Sequence, residues 1–287
     1  MGSDVSEVTN RKRHSTTILA GPKHLLASGT PLSARCVSAL KMLIPDPLKR
    51  WVRKEQHRFS VSPPVGWVHF GSLRRLAPVS SVFGADRGLA ICHFYIQRFL
   101  STYALDIREH VLEIGDDVYT RQFGGGRITK SDVLHATAGN PKATLIADLT
   151  CADHIPTNTF DCIIFTQTLQ HIYDPRATIR TLHRILKPGG SLLATFPGIS
   201  QISRYDMDRW GDYWRFTTAS SHRLFAEFWP PEHVTVEALG NVLVAAAYLY
   251  GLSSVELQRE ELEVHDPDYQ VLITVRAVKP DDTKGIG

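Results

Sequence analysis

Acidic side chains recur where apolar segments end in the middle of this 287-residue chain. Glu113 lies in the apolar run 110–115, Asp132 follows a second run, and Asp148 ends a third. Runs of this length predict buried strands, and the ligands of open α/β sheets bind at the carboxyl edge of such strands. Carboxylates at that edge accept hydrogen bonds, so they suit a ligand with a ribose diol, an exocyclic amine or an ammonium group.

The turn after the first of these strands argues against phosphate-bearing ligands. It reads Gly115-Asp116-Asp117-Val118-Tyr119 and contains neither a glycine-rich loop nor a basic residue. A phosphate group needs main-chain N–H donors and positive charge at this position, whereas two aspartates repel it. NAD, FAD and ATP are therefore not expected as ligands.

The elements that would position these residues alternate between strands and helices. Strands are predicted at residues 110–115, 127–131, 143–148, 160–166, 191–196, 234–239 and 269–278. Helices are predicted at residues 89–105, 174–186, 217–228 and 242–250. Strands with two apolar faces that alternate with helices indicate an α/β fold, with a parallel sheet covered on both sides.

Charge is distributed unevenly along the chain. Residues 1–58 contain 11 Lys and Arg against 4 Asp and Glu, while the other 229 contain 21 against 25. We interpret residues 1–60 as a basic extension, partly flexible or helical with breaks at Pro45 and Pro47, and residues 61–287 as the folded domain. Such an extension could bind an anionic partner or could only keep the chain soluble.

Cysteine spacing and hydropathy indicate a cytoplasmic protein. Cys36, Cys92, Cys151 and Cys162 form no C-x-x-C pair, which argues against a zinc ribbon, a redox pair and a disulfide framework. No apolar run reaches the 18 residues of a membrane span, so none is expected.

Several motifs between residues 111 and 196 resemble the core of a class I S-adenosylmethionine-dependent methyltransferase. The most specific are Thr168-Leu-Gln-His-Ile-Tyr-Asp-Pro175 and Leu182-His-Arg-Ile-Leu-Lys-Pro-Gly-Gly190. The later stretch 212–217 is similar to the type 11-like branch that acts on small molecules and polysaccharides. The resemblance implies a Rossmann-like, seven-stranded, mostly parallel sheet whose last strand is antiparallel. It also implies helices on both faces, with an N-terminal helical extension.

The resemblance also implies S-adenosyl-L-methionine as cofactor and a set of residues that bind it. Within that set, Asp132 would take the ribose hydroxyls, with His135 as a competing alignment, and Asp148 would accept from the adenine amine. The complete set is Glu113, Gly115, Asp116, Tyr119, Asp132, Asp148, Leu149, Thr166 and Gln167.

The transfer itself needs a positioned acceptor and, for an oxygen nucleophile, a base. His171 follows the fourth strand on the cofactor side, so we predict it as the base, although it could equally pack or cap the following turn. Tyr205, Asp212, Trp214 and Arg215 come from an aromatic and charged segment suited to sugar rings and hydroxyls, so we predict them at the acceptor.

The sequence therefore predicts an O-methyltransferase that acts on a hydroxyl of a small molecule or glycan in a biosynthetic pathway. One alternative is a non-catalytic binding module, because Asp117 and Tyr119 replace two glycines usual in the first loop of the family. A nucleic-acid methyltransferase is less favoured, because the Asp/Asn-Pro-Pro-Tyr/Phe motif is missing and the body is acidic. We expect no metal and no nucleic-acid partner, and leave a homodimer open.

Overall fold

The computed structural model describes Pro45, Pro47 and residues 63–281 of the chain. The chain divides into two compact units, Met1–Phe70 and Gly71–Gly287, and the elements below belong to the second. The predicted basic extension 1–60 lies outside the described residues, apart from the two prolines. In the described part, no helix is both long and apolar enough to cross a membrane.

A seven-stranded sheet forms the centre of the described residues. Its strands are β1 (Glu109–Ile114), β2 (Ile128–His135), β3 (Leu145–Ile146), β4 (Phe160–Thr166), β5 (Leu186–Pro197), β6 (Val234–Leu239) and β7 (Leu272–Val278). Their order across the sheet is β3-β2-β1-β4-β5-β7-β6. Strands β1 to β5 pair in parallel, and β7 is antiparallel to both β5 and β6. The predicted Rossmann-like sheet with an antiparallel last strand is confirmed.

Helices cover both faces of this sheet. They are α1 (Ile91–Thr102), α2 (Pro175–Ile185), α3 (Arg204–Met207), α4 (Thr218–Phe225), α5 (Val242–Leu249) and α6 (Arg259–Glu263). Helices α2 and α4 contribute to one apolar cluster, and α1, α5 and α6 contribute to the other. Neighbouring residues of β1, Val111 and Leu112, are fully buried in different clusters, because successive side chains of a strand point to opposite faces.

Local capping explains where α2 and α4 begin. The carboxylate of Asp174 accepts from the Ala177 N–H at 3.0 Å, and Pro175 occupies the first helical position. At α4, the Thr217 side chain accepts from the Ser220 N–H at 3.1 Å and the two residues form a capping box. Both starts agree with the predictions from sequence.

Several strand boundaries differ from the predictions. Strand β3 is limited to Leu145–Ile146 instead of 143–148, and β7 begins at Leu272 instead of residue 269. Strand β2 extends to His135 instead of ending at residue 131. Strand β5 begins at Leu186 instead of residue 191, so residues 187–190, which lie between the predicted helix and the predicted strand, belong to the strand. Two backbone hydrogen bonds of 2.9 Å, from Gly189 N to Lys279 O and from Lys279 N to Gly190 O, join that segment to the chain after β7.

The strand order reverses between β1 and β4. The chain moves outward from β1 through β2 to β3, then returns to β4 on the other side of β1. The carboxyl ends of β1 and β4 diverge at such a switch point and leave a crevice there. Gly115 and Thr166 lie at this crevice.

Candidate functional site

A cavity of about 330 Å³ occupies the crevice at the carboxyl edge of the sheet, and we call it the edge cavity. It is lined by Ile114, Gly115, Leu134, His135, Ala136, Ala147, Asp148, Leu149, Thr166, Gln167, Thr168, His171, Ile172, Asp206 and Trp210. Its volume is in the range of small-molecule sites. Five of the predicted cofactor residues, Gly115, Asp148, Leu149, Thr166 and Gln167, line this cavity.

At Gly115 a ligand in the edge cavity can come close to the backbone. Its φ of +86° is in the region that favours glycine, and a Cβ added there would meet no atom within 4 Å. The Asn140 side-chain amide donates to the Gly115 carbonyl at 2.6 Å and holds this turn in place. A ligand can therefore contact the main chain directly at this point.

Asp148 presents a partly free carboxylate to the edge cavity. Its Oδ1 accepts from the Thr150 N–H and hydroxyl, both at 2.8 Å, while Oδ2 has no hydrogen bond within the described residues. The neighbouring Leu149 is 3% exposed and offers an apolar surface. This pair suits an aromatic ring that carries an amino group.

On β2, the residue at the edge cavity is His135 and not Asp132. Asp132 lies three positions before the strand end, is 7% exposed, and accepts from His110 at 2.6 Å and Thr144 at 2.8 Å. Burial opposes ionisation of Asp132, but hydrogen bonds from His110, Lys130 and Thr144 hold its pKa below the usual value. Of the two alignments that the sequence left open for the ribose contact, His135 lines the edge cavity and Asp132 does not.

The ring of Trp210 covers His135 at the edge cavity. The two ring centroids are 5.5 Å apart and meet edge to face, at an interplanar angle of 79°. Trp210 comes from the segment after β5, so this segment folds over the carboxyl edge of the sheet. The sequence placed Trp210 in an aromatic segment but did not predict it as a site residue.

The end of β4 has an unusual backbone at the edge cavity. Gln167 has a φ of +48°, in the left-handed region that non-glycine residues rarely adopt. Its N–H donates to the Thr195 carbonyl at 2.9 Å, which holds this conformation. Strain of this kind is often kept at functional sites.

Glu113 holds the loop that follows β1, next to the edge cavity. Its side chain is 2% exposed and accepts from the Tyr119 N–H at 3.1 Å and from the Thr120 N–H and hydroxyl, both at 2.7 Å. Burial raises the pKa of Glu113 to about 7, against the opposing effect of these hydrogen bonds. Glu113 thus orders the loop after β1 and does not line the cavity.

Asp116 and Tyr119, also predicted as cofactor residues, act within the same loop. Asp116 accepts from the Val118 N–H at 3.1 Å, and the ring of Tyr119 stacks on Phe123 at 6.3 Å. Neither lines the edge cavity. Their contacts in the structure lie within the loop, and their part in binding the cofactor stays a prediction.

A second cavity of about 250 Å³ adjoins the first, and we call it the side cavity. It lies where the N-terminus of α1, the turn after β4, the segment after β5 and α5 meet. It is lined by Val82, Phe83, Ala85, Ala90, Cys92, His93, Gln167, Gln170, His171, Pro197, Ser200, Gln201, Ser203, Asp206, Asp212, Arg215 and Tyr248. Gln167, His171 and Asp206 line both cavities.

His171 is oriented by the segment after β5. Its Nδ1 lies 2.7 Å from the Gly211 carbonyl, which can only accept, so Nδ1 carries the proton in this contact. Its Nε2 lies 3.2 Å from Gln170 Nε2 and 3.8 Å from an oxygen of Asp206. The basic nitrogen therefore lies beside a carboxylate in the wall that the two cavities share.

Asp212 and Arg215 form a closed ion pair in the wall of the side cavity. Arg215 donates to both Asp212 oxygens, at 2.5 and 2.9 Å, and to the carbonyls of Ser200, Gln201 and Trp214. Burial opposes ionisation of Asp212, but Arg215 and the Ser203 N–H hold its pKa below the usual value. All five guanidinium N–H groups are used, so Arg215 shapes the cavity and has none left for a ligand.

Tyr205 and Trp214, the other predicted acceptor residues, line neither cavity. Tyr205 is 67% exposed, and the Arg209 guanidinium lies 3.5 Å above its ring. The indole N–H of Trp214 donates to the Ile172 carbonyl at 3.1 Å. Trp214 thus ties the segment after β5 to the turn after β4, and neither residue faces the side cavity.

The sequence interpretation missed Asp206, Gln170, Cys92 and Tyr248 in the side cavity. Burial raises the pKa of the Cys92 thiol and that of the Tyr248 phenol, and the two side chains hydrogen-bond to each other. Asp206 had a local signal, because Ser203 caps α3 three residues before it. The others come from distant elements and carry no joint motif.

Within residues 63–281, no group of three or more His, Cys, Asp or Glu side chains is arranged to hold a metal ion. The edge cavity instead offers a free carboxylate oxygen, an apolar wall and an open glycine turn. These features fit an adenosyl ligand with a cationic tail better than a diphosphate.

Comparisons with known proteins agree with this geometry. A family model described as a methyltransferase domain matches residues 83–235, more than half of the chain. The ubiquinone/menaquinone biosynthesis C-methyltransferase UbiE of Haemophilus ducreyi is 36% identical over 62 residues, which cover 19% of this chain and 24% of that protein. The UbiE protein of an Enterobacter species is 47% identical over 38 residues, covering 13% and 15%. The chain therefore aligns with less than two thirds of the length of these curated relatives.

Solved structures provide one further comparison. An S-adenosylmethionine-dependent methyltransferase from Archaeoglobus fulgidus superimposes with a TM-score of 0.44 at 12% identity. The superposition covers 65% of this chain and 94% of that one.

Proposed function

This chain belongs to the class I S-adenosylmethionine-dependent methyltransferases, and from that premise we propose that it transfers a methyl group to a hydroxyl oxygen of a small molecule or sugar. The edge cavity would bind the donor, and the side cavity would receive the acceptor. The observation that carries this proposal is the shared wall of Gln167, His171 and Asp206. Groups bound in the two cavities would meet there, as a direct displacement requires.

Residues of the edge cavity would bind the hydrogen-bond donors and the adenine ring of S-adenosylmethionine. Asp148 Oδ2 is available to the adenine amine, Leu149 to the ring, and His135 to the ribose. Thr166 and Gln167 would line the methionine side. The cofactor supplies an electrophilic methyl group on a cationic sulfur, which the nearby carboxylates favour.

His171 is the proposed base for the acceptor hydroxyl. The Gly211 carbonyl holds the proton on Nδ1 at 2.7 Å, so Nε2 carries the lone pair. To take the acceptor proton, Nε2 would exchange its contact with the Gln170 amide for one with the acceptor hydroxyl. Asp206, 3.8 Å from Nε2, would stabilise the imidazolium that results. The geometry thus supports a base role over the capping role that the sequence left open.

Methylation of carbon is the second candidate. It is favoured by the matches to proteins named C-methyltransferases, although these cover only 62 and 38 residues. A carbon nucleophile next to a hydroxyl also needs that hydroxyl deprotonated, so the same His171 would serve. The atom that receives the methyl group separates the two candidates.

The decisive test supplies isotope-labelled S-adenosylmethionine with a panel of sugars, phenols and polyketides. We expect labelled product whose methyl resonance is that of an O–CH₃ group. A C–CH₃ resonance would support the second candidate and reject the first. A well-folded protein that binds the donor, yet methylates no hydroxylated compound in the panel, would also reject oxygen transfer.

Other parts of the expected function remain proposals. We propose that the protein acts in the cytoplasm without a nucleic-acid partner, and a homodimer stays open. The absence of any salt-sensitive mobility shift with DNA or RNA would support the first point. Donor binding without turnover on any acceptor class would favour the non-catalytic alternative.

A further inference from the structure

Gln170 places an unsatisfied acceptor in the wall of the side cavity. The residue is 5% exposed, and its Oε1 is buried without a hydrogen-bond partner. Its Nε2 donates to the Gln167 carbonyl at 2.9 Å and lies 3.2 Å from His171 Nε2, so both amide protons are used. A buried carbonyl oxygen is normally paired, so this exception marks an acceptor that a turn of the Gln170 side chain would present to a ligand in the cavity.

The charged side chains around this oxygen leave an excess of negative charge. Arg215 is the only Lys or Arg among the described residues that line the side cavity, and its five donors are already used. Its charge is balanced by Asp212. Asp206 pairs with no Lys or Arg among the described residues, since its nearest partners are the Ser203 hydroxyl at 2.6 Å and His171 Nε2 at 3.8 Å.

The two histidines in this wall offer no free cationic donor to a ligand. Both ring nitrogens of His171 already have partners, because Nε2 lies 3.2 Å from Gln170 Nε2 and Nδ1 lies 2.7 Å from the Gly211 carbonyl. Desolvation at the cavity wall lowers the pKa of His93, which leaves it neutral near pH 7. The side cavity therefore carries negative charge without a free cationic donor.

We infer that the side cavity selects an acceptor that donates hydrogen bonds to Gln170 Oε1 and Asp206 and carries no negative charge. This inference rests on the proposed function, because it assigns the substrate class of the same site. Neutral polyols and phenols fit it. Carboxylates and phosphates do not fit it, because Asp206 would repel their negative charge and no free Arg or Lys side chain of the cavity would compensate.

Matched probes test this selection. Glucose is compared with glucuronate and glucose 6-phosphate, and catechol with its carboxylate, 3,4-dihydroxybenzoate. Binding is measured by calorimetry on the full chain saturated with S-adenosylhomocysteine, and methyl transfer is measured separately with S-adenosylmethionine. We expect at least one neutral member to bind, and its anionic counterpart to bind about tenfold more weakly or worse.

Three variants assign the selection to residues. Asp206→Asn keeps the shape and removes the charge, so the ratio of neutral to anionic affinity should fall about tenfold. Gln170→Met removes the buried oxygen and should weaken the neutral probe about tenfold. Asp208→Asn is the matched control, because Asp208 is 64% exposed, pairs with Arg204 and lines neither cavity. The ratio should stay unchanged in this control.

The outcomes separate this inference from the proposed function. Equal or tighter binding of the anionic probes, an unchanged ratio in Asp206→Asn, or no binding of any neutral probe would overturn the selection. Methyl transfer to a carbon of a neutral probe would overturn oxygen transfer and leave the selection standing. Because the ratio is taken within one variant, a change in donor affinity cannot imitate the effect.

Discussion

Replacing Glu113 with glutamine should remove a large pH-dependent component of stability. Burial raises the pKa of Glu113 from 4.5 to about 7 in the folded protein. Between these two pH values the folded state holds the proton more tightly than the unfolded state, so the free energy of unfolding falls as pH rises. This component is fully present below pH 4.5, is lost by about pH 7, and amounts to about 3 kcal/mol.

The glutamine variant cannot titrate, so only the wild type should show this loss. Glutamine also offers one fewer acceptor to the Tyr119 and Thr120 N–H groups, which adds a constant cost of about 1–3 kcal/mol. We therefore expect Glu113→Gln to be clearly less stable than wild type at pH 4.5. The gap should close by about 3 kcal/mol at pH 8.

Urea denaturation followed by tryptophan fluorescence measures both free energies from pH 4.5 to 8. Glu232→Gln is the control, because it removes an exposed carboxylate with no hydrogen bond in the described structure. Its difference from wild type should stay nearly constant over this range. If the Glu113→Gln gap is also constant to within about 0.5 kcal/mol, burial does not raise the pKa of Glu113.

Three further substitutions test other parts of the site. His171→Asn should lower kcat by roughly 10²- to 10⁴-fold and leave the donor Kd nearly unchanged, whereas equal losses in both would mean a structural role. Gln167→Gly should raise the free energy of unfolding by up to about 1 kcal/mol, because glycine adopts a positive φ without strain. The same substitution should lower turnover, and a loss of stability would show that Gln167 is not strained. Arg215→Met should destabilise the fold by about 3–5 kcal/mol, since it leaves the buried Asp212 unpaired, and a neutral result in urea denaturation would refute the closed pair.

The fold was largely predictable because its signals are local. Strand β4 has the predicted bounds, and α2 begins after Asp174 as its capping pattern indicates. The predicted end of β2, at residue 131, was wrong because Asp132 was interpreted as a carboxylate that follows the strand. Its partners, His110 on β1 and Thr144 before β3, become neighbours only when the sheet forms. A single sequence does not show that a histidine on another strand will hydrogen-bond a buried carboxylate and offset the free energy of its burial.

The candidate site was predictable on one side only. The edge cavity follows from a rule about strand ends, so Asp148 could be found from an apolar run, whereas Thr166 and Gln167 came from the family resemblance. The side cavity combines α1, the segment after β5 and α5, which are far apart in the chain. Of the four acceptor residues proposed from this segment, Asp212 and Arg215 line the side cavity, whereas Tyr205 and Trp214 line neither cavity.

A crystal structure with S-adenosylhomocysteine bound would show whether the edge cavity holds the donor. We predict the adenine amine within hydrogen-bond distance of Asp148 Oδ2, and the sulfur beside Gln167, His171 and Asp206, facing the side cavity. Density for the ligand elsewhere, or a sulfur turned away from these three residues, would contradict the account.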